Sequence, residues 1–302
     1  MEKSRLSGTF TALVTPFDAS GAVDLQALDA LVDRQLAGGV GGLVPCGTTG
    51  ETPTLSVEEQ LTVIRRVADR AAGRVPILAG TGSYATAATV DHSRRALEAG
   101  ADAVMIVMPY YNKPSQAGMA AHVGAVAEAI EAPIVLYDIP GRSVVSLDVD
   151  TTEAICARHD NVIGLKDASG NVLKCQELKR RLGDRLTVMC GDDGLTLGMM
   201  ACGASGVISV SSNVLPEAVS DVTTKLAAGD FAGARAAHLA LLPLHGAMFV
   251  EPNPSPCKAA AALLGHMRPD VRLPMLPVGE ATRARLREVL IGLAALSGAA
   301  TS

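Results

Sequence analysis

Lys166 follows four residues of an apolar run, Val162-Ile163-Gly164-Leu165, a placement no other lysine of the chain shares. An amine at the end of such a run is partly stripped of water. That favours its neutral form, the nucleophile that condenses with carbonyl compounds. The plain alternative is a lysine whose stem lies along the strand while its ammonium reaches solvent or pairs with Asp167. Three of the four tyrosines stand in comparable places: Tyr137 closes the run Pro133-Ile134-Val135-Leu136, and Tyr110 and Tyr111 follow Ala103–Met108 and Pro109. A phenol there is either a proton carrier or a core tyrosine with a satisfied hydroxyl. Thr48 and Thr49 sit in a glycine-flanked turn, Gly47-Thr48-Thr49-Gly50, whose N–H groups can hold a carboxylate, or which is a turn and nothing more. Arg142, just after Pro140-Gly141, suits bidentate recognition of a further carboxylate; its ordinary alternative is a solvated surface arginine.

Other chemistries find little support. The six histidines are scattered, no H-E-x-x-H or G-x-S-x-G occurs, and neither Gly47–Gly50 nor Gly80-Thr81-Gly82 leads into G-K-[ST]. Metal, serine-nucleophile and nucleotide-phosphate sites are therefore not expected, nor is any cofactor. Asp192-Asp193 reads as a cation pair or, more simply, as a helix cap. With 31 acidic against 26 basic residues and a net charge of -5, a nucleic-acid or anionic-membrane partner is not expected. Any anionic substrate must then be met by local cations. Six cysteines without a C-x-x-C pair point to reduced thiols in a cytoplasmic protein, and no apolar run approaches 18 residues.

These residues need a scaffold that gathers them. The 302-residue chain is 48% hydrophobic, and short apolar runs recur at Thr9–Thr15, Gly42–Pro45, Pro76–Ala79, Ala103–Met108, Pro133–Tyr137, Val162–Lys166, Leu186–Cys190 and Gly206–Ser209. They are continuous rather than alternating, as in strands buried on both faces of a parallel sheet. Helical patterns lie between them: Ser56–Ala72, opened by a Ser56/Glu59 capping box; Thr86–Ala99, ended by Gly100; and Asn171–Leu182, ended by Gly183. Eight such units in about 225 residues predict an α/β fold, a (β/α)8 TIM barrel over residues 1–228. A doubly wound open sheet is the runner-up, but Pro16-Phe17 follows the first strand where a glycine-rich phosphate turn would be expected. Residues 229–302 read as a C-terminal helical appendage with helices at Phe231–Val250, Ala259–Leu264 and Glu280–Leu296. In a barrel, reactive groups collect at the C-terminal ends of the strands, and Lys166, Tyr137, Thr48, Thr49 and Arg142 all fall there.

At this point the motifs resemble a known family. GTTGE at 47–51, PYYNKPSQ at 109–116, YDIPGR at 137–142, GLKDASGN at 164–171, GDD at 191–193 and EPNPSPCK at 251–258 occur together, in order, over nearly the whole chain. They are similar to those of the 4-hydroxy-tetrahydrodipicolinate synthase (dihydrodipicolinate synthase) family, within the N-acetylneuraminate lyase superfamily. The resemblance implies a Schiff-base lyase that condenses pyruvate with aspartate semialdehyde in lysine and diaminopimelate biosynthesis, without metal or redox cofactor. It makes Lys166 the Schiff-base lysine and Tyr137 the proton relay, linked through Thr48 to Tyr111 of a neighbouring subunit. Thr48 and Thr49 would hold the pyruvate carboxylate, Arg142 the carboxylate of the aldehyde, and Gly191 and Ile208 would contribute backbone around the pocket. It also implies a homotetramer, a dimer of tight dimers.

Two departures stand out. Asp138 occupies a position where many relatives have Asn. At the positions matching the allosteric lysine pocket of lysine-inhibited relatives stand Val57, Gln60, Tyr84 and Ala88, without a carboxylate, so lysine is not expected to inhibit. The nearest rival reading is a 2-keto-3-deoxy sugar-acid or N-acetylneuraminate aldolase, against which Arg142 discriminates best. A rival of another kind is a non-catalytic binding barrel, which Lys166 and Tyr137 oppose.

Overall fold

The computed structural model describes residues 6–295. Eight parallel strands alternate with helices: β1 (Gly8–Ala12), β2 (Gly42–Val44), β3 (Leu78–Gly80), β4 (Ala103–Val107), β5 (Ile134–Asp138), β6 (Val162–Asp167), β7 (Thr187–Cys190) and β8 (Gly206–Ser209). Their order around the sheet is β2-β1-β8-β7-β6-β5-β4-β3. A parallel bridge between Leu43 and Ile77 joins the two ends and closes the barrel. Closure brings backbones together so tightly that a Cβ on Gly80 would lie 2.2 Å from the Cys46 carbonyl oxygen, so only glycine fits there.

Each strand was legible as an apolar run because both of its faces are buried. Side chains pointing inward, among them Phe10, Val44, Met105, Val135, Met189 and Ile208, fill the barrel. Those pointing outward meet the helices in a second, larger core that also takes in Leu244, Leu286 and Leu290 of the C-terminal helices. β1 ends at Ala12, earlier than the predicted Thr15, because the chain leaves the ladder: the Val14 N–H donates to Asn213 Oδ1 at 3.0 Å.

Helix boundaries follow their capping chemistry. Val57–Ala71 opens with the expected capping box, Ser56 Oγ accepting from Glu59 N and Glu59 Oε2 accepting from Ser56 N. Thr86–Glu98 leads into Gly100 at φ 102°, and Val172–Leu182 stops at Gly183 in a positive-φ conformation. The C-terminal region differs in detail. The helix Ser255–Leu263 begins four residues before the predicted Ala259, since proline is tolerated in a first turn, where its missing N–H is not needed. Phe231–Ala247 runs through Pro243 and ends short of Val250. The last helix spans Glu280–Gly292, and the predicted end at Leu296 lies outside the described residues.

The C-terminal region is tied to the loop after β2. The Arg272 guanidinium donates to Thr54 O at 2.8 Å, to Gly21 O and to the Glu59 carboxylate, and it lies over the Phe17 ring. Hydrogen bonds from that guanidinium, helped by its charge, hold the Glu59 carboxyl down at about 2. Lys258, fully buried, pairs with Glu51 Oε1 at 2.6 Å and also lies over the Phe17 ring, 4.0 Å from its centroid.

Candidate active site

Lys166 and Tyr137 are register neighbours across β5 and β6, at the C-terminal ends of both strands. Parallel pairing at the same height turns both side chains into the barrel, and Lys166 Nζ lies 4.1 Å from the Tyr137 ring centroid. Lys166 is 5% exposed, so its ammonium does not snorkel to bulk water. Nor does it pair with Asp167, whose Oδ1 accepts from Ser169 N and whose Oδ2 is buried without a partner. Both ordinary readings of this lysine fail, and the amine is left facing a phenol in a dry place.

The threonine turn closes the site from β2. Thr48–Gly50 form a short 3-10 turn ended by Glu51 in the left-handed region at φ 58°, and Thr15 Oγ1 donates to Gly50 O at 2.7 Å. Asn253 Nδ2 donates to Thr49 Oγ1 at 3.0 Å, while Asn253 O accepts from Arg142 Nη2 at 3.3 Å. One residue of the C-terminal region therefore touches both expected carboxylate-binding groups. A cavity of about 460 Å³ opens beside them, with Thr48, Tyr137, Arg142, Met105 and Ile139 in its wall. Among the described residues, no Asp or Glu lines it. With Arg142 exposed at its mouth, the cavity suits an anion despite the net charge of -5.

Residues 5–292 match the dihydrodipicolinate synthetase family. The chain belongs to that family. It is 66% identical over 291 residues to the 4-hydroxy-tetrahydrodipicolinate synthase of Sorangium cellulosum, with 96% of this chain and 97% of that protein covered. The solved dihydrodipicolinate synthase of Aquifex aeolicus superposes with a TM-score of 0.94 at 41% identity, covering 96% of this chain and 98% of that one. A dihydrodipicolinate synthase from Cyanidioschyzon merolae, solved with lysine bound, superposes with a TM-score of 0.93 at 32% identity, covering 97% and 99%.

The remaining expected positions are distributed around this dihydrodipicolinate synthetase site as follows. Ile208 is buried in the barrel interior with Tyr137. Gly191 donates its N–H to Asp167 O at 2.7 Å, and a Cβ there would lie 2.7 Å from that of Ala168, so glycine lets β6 and β7 end side by side. Tyr111 stands apart from the cavity, 90% exposed and at φ 72°. Its neighbour Tyr110 lines the cavity and packs edge-on against Tyr84.

The carboxylates near the site are structural. Asp138 is fully buried on the outer side of β5. It accepts from Ser146 Oγ at 2.8 Å and Leu147 N at 3.1 Å, and forms an ion pair with the nearly buried Lys174. Its partner lies 36 residues away, and nothing in the local sequence announces that pairing. Asp192 caps the turn after β7 by accepting from Gly194 N, the simpler of its two readings. Asp193 accepts from Ser209 Oγ and from Val210 N, pinning β7 to the loop after β8. His238 and His245 bond Gly194 O and Ser211 Oγ, and burial holds both imidazoles below their ordinary range. Among the described residues, no group of three or more His, Cys, Asp or Glu is placed to hold a metal ion, and no helix is long and apolar enough to cross a membrane. The sequence reading assigned no role to Asn253 or Lys258, although both lie in EPNPSPCK.

Proposed function

We propose that this chain is a 4-hydroxy-tetrahydrodipicolinate synthase that joins pyruvate to aspartate 4-semialdehyde through a Schiff base on Lys166. The observation that carries this reading is the buried Lys166 amine against the Tyr137 ring, which itself lines a cavity that no Asp or Glu among the described residues enters. Lys166 Nζ attacks the ketone carbon of pyruvate, and loss of water gives an iminium. The iminium withdraws electrons from the adjacent methyl group, so loss of a methyl proton gives an enamine. The enamine carbon attacks the aldehyde, whose oxygen takes up a proton. The amine of the second substrate then attacks the iminium carbon, closes the ring and expels the Lys166 amine.

Tyr137 moves protons to and from the adduct, and Thr48 links it to the partner's Tyr111. The exposure of Tyr111 in one chain agrees with a role in another, which requires at least a dimer; the assembly proposed, following the family resemblance, is a homotetramer built from tight dimers. Thr48 and Thr49 hold the pyruvate carboxylate, Arg142 holds that of the semialdehyde, and Gly191 and Ile208 frame the adduct. The pathway served is lysine and diaminopimelate biosynthesis in the cytoplasm.

Arg142 decides between this reaction and the sugar-acid aldolases. Among the described residues one hydrogen bond, to Asn253 O, engages its guanidinium, leaving further donors for a bidentate carboxylate. Arg142→Ala is expected to lower kcat/KM for aspartate semialdehyde by about 2–4 kcal/mol of transition-state binding, roughly 30- to 1000-fold, with little effect on pyruvate trapping. An unchanged synthase reaction, or faster cleavage of N-acetylneuraminate than synthesis by the native protein, would move the assignment to the rival.

Lysine is expected not to inhibit. Val57 and Gln60 also line the cavity. The Gln60 amide already donates to Leu55 O at 3.1 Å and Thr52 O at 3.4 Å, and Val57 and Ala88 offer no polar side chain. The nearby acid Glu51 is committed to Lys258 and to Arg272 N. An ammonium buried there without a carboxylate would lose several kcal/mol of hydration. A lysine titration of the synthase assay should show no half-inhibition below about 1 mM, a threshold worth only about 4 kcal/mol of binding; inhibition below it would contradict this.

A further inference from the structure

The EPNPSPCK segment contacts the threonine turn at two points and no step of the reaction accounts for it. We propose that Asn253 is a positioning residue that sets the direction of the Thr49 hydroxyl, and so the affinity for the keto acid's carboxylate. This rests on the Schiff-base reading above and adds a specific cause of pyruvate recognition to it.

A threonine hydroxyl has one proton to give and lone pairs to receive with. Asn253 Nδ2 donates to Thr49 Oγ1 at 3.0 Å, so the hydroxyl proton is left for another acceptor. A carboxylate accepts only, and a hydroxyl already used as an acceptor is oriented to donate to it. Asn253 is itself 5% exposed, and its Oδ1 is buried without a partner, so its amide is not free to trade this contact for water. The main chain of the same residue receives Arg142 Nη2. Five residues on, Lys258 grips Glu51, the residue that ends the turn. The segment thereby holds the turn at its middle and at its end. Only the middle contact depends on the Asn253 side chain, whereas the Arg142 contact uses its backbone carbonyl and should survive substitution.

That difference supplies the test. Asn253→Ala should raise KM for pyruvate about tenfold and leave KM for aspartate semialdehyde within about twofold. A loosened site would move both together and lower kcat. In Asn253→Asp the new carboxylate can only accept, capturing the Thr49 proton. Its pyruvate KM should rise further, and should fall back toward that of Asn253→Ala as the pH is lowered and the carboxyl takes up a proton. An unchanged pyruvate KM in either variant, or a parallel rise of both KM values, overturns the proposal. Borohydride trapping of the native protein with pyruvate separates this from the reading beneath it. A native protein that labels on Lys166, with an Asn253→Ala variant of unaltered pyruvate KM, refutes the positioning role alone; a native protein that takes no label refutes the Schiff-base reading itself.

Discussion

Lys166→Ala is expected to remove synthase activity altogether, at least about 10⁴-fold, while leaving a folded barrel. The two halves of this expectation have separate causes. Chemistry is lost because, among the described residues, no other amine stands beside Tyr137, and without a covalent electron sink the methyl proton of pyruvate is not acidic enough to remove. The fold survives because no ion pair or hydrogen bond of the Lys166 ammonium is given up among the described residues; the variant loses a buried aliphatic stem, about 1–3 kcal/mol. Lys166→Arg should be equally inactive, since a guanidinium stays protonated and cannot act as the nucleophile. Steady-state assays with thermal melts of the same preparations check both halves. Residual activity above about 1% of native would place the covalent step elsewhere, and a non-catalytic barrel would show no activity to lose.

Lys258→Met is expected to produce the largest loss of stability. Lys258 and Glu51 are both buried, 0% and 3% exposed, and pair at 2.6 Å. Removing one partner leaves a buried carboxylate without its paired ammonium, which typically costs about 3–5 kcal/mol. For a chain of this size that corresponds to a fall in melting temperature on the order of 10 °C. Combining Lys258→Met with Glu51→Gln should recover much of the loss, because two neutral buried groups carry no unpaired charge. A single variant that melts within about 2 °C of native, or a double variant no better than the single one, would show that the pair is not what holds the C-terminal region to the threonine turn.

The barrel was legible because its strands are buried on both faces, which writes them as unbroken apolar runs such as Ala103–Val107 and Ile134–Leu136. The helix starts and stops were legible where a side chain or glycine does the capping, as at Ser56 and Gly183. Lys166 could be singled out because a charged residue ending such a run is costly to place. The contacts that align the site were not legible. Asp138 with Lys174, Thr49 with Asn253 and Glu51 with Lys258 span 36, 204 and 207 residues, and polar residues so far apart leave no periodic trace. Ser255–Leu263 starts four residues before the expected Ala259, with Pro256 in the first turn, where proline is permissible.

Reduction of the native protein with borohydride in the presence of pyruvate tests covalent catalysis most directly. Hydride fixes the iminium as a stable secondary amine, and peptide mass analysis locates it. Schiff-base catalysis at the end of β6 predicts one carboxyethyl group per chain on the peptide containing Lys166, and none in Lys166→Ala. A label on any other lysine, or a native protein that takes up none while turning over substrate, would contradict it.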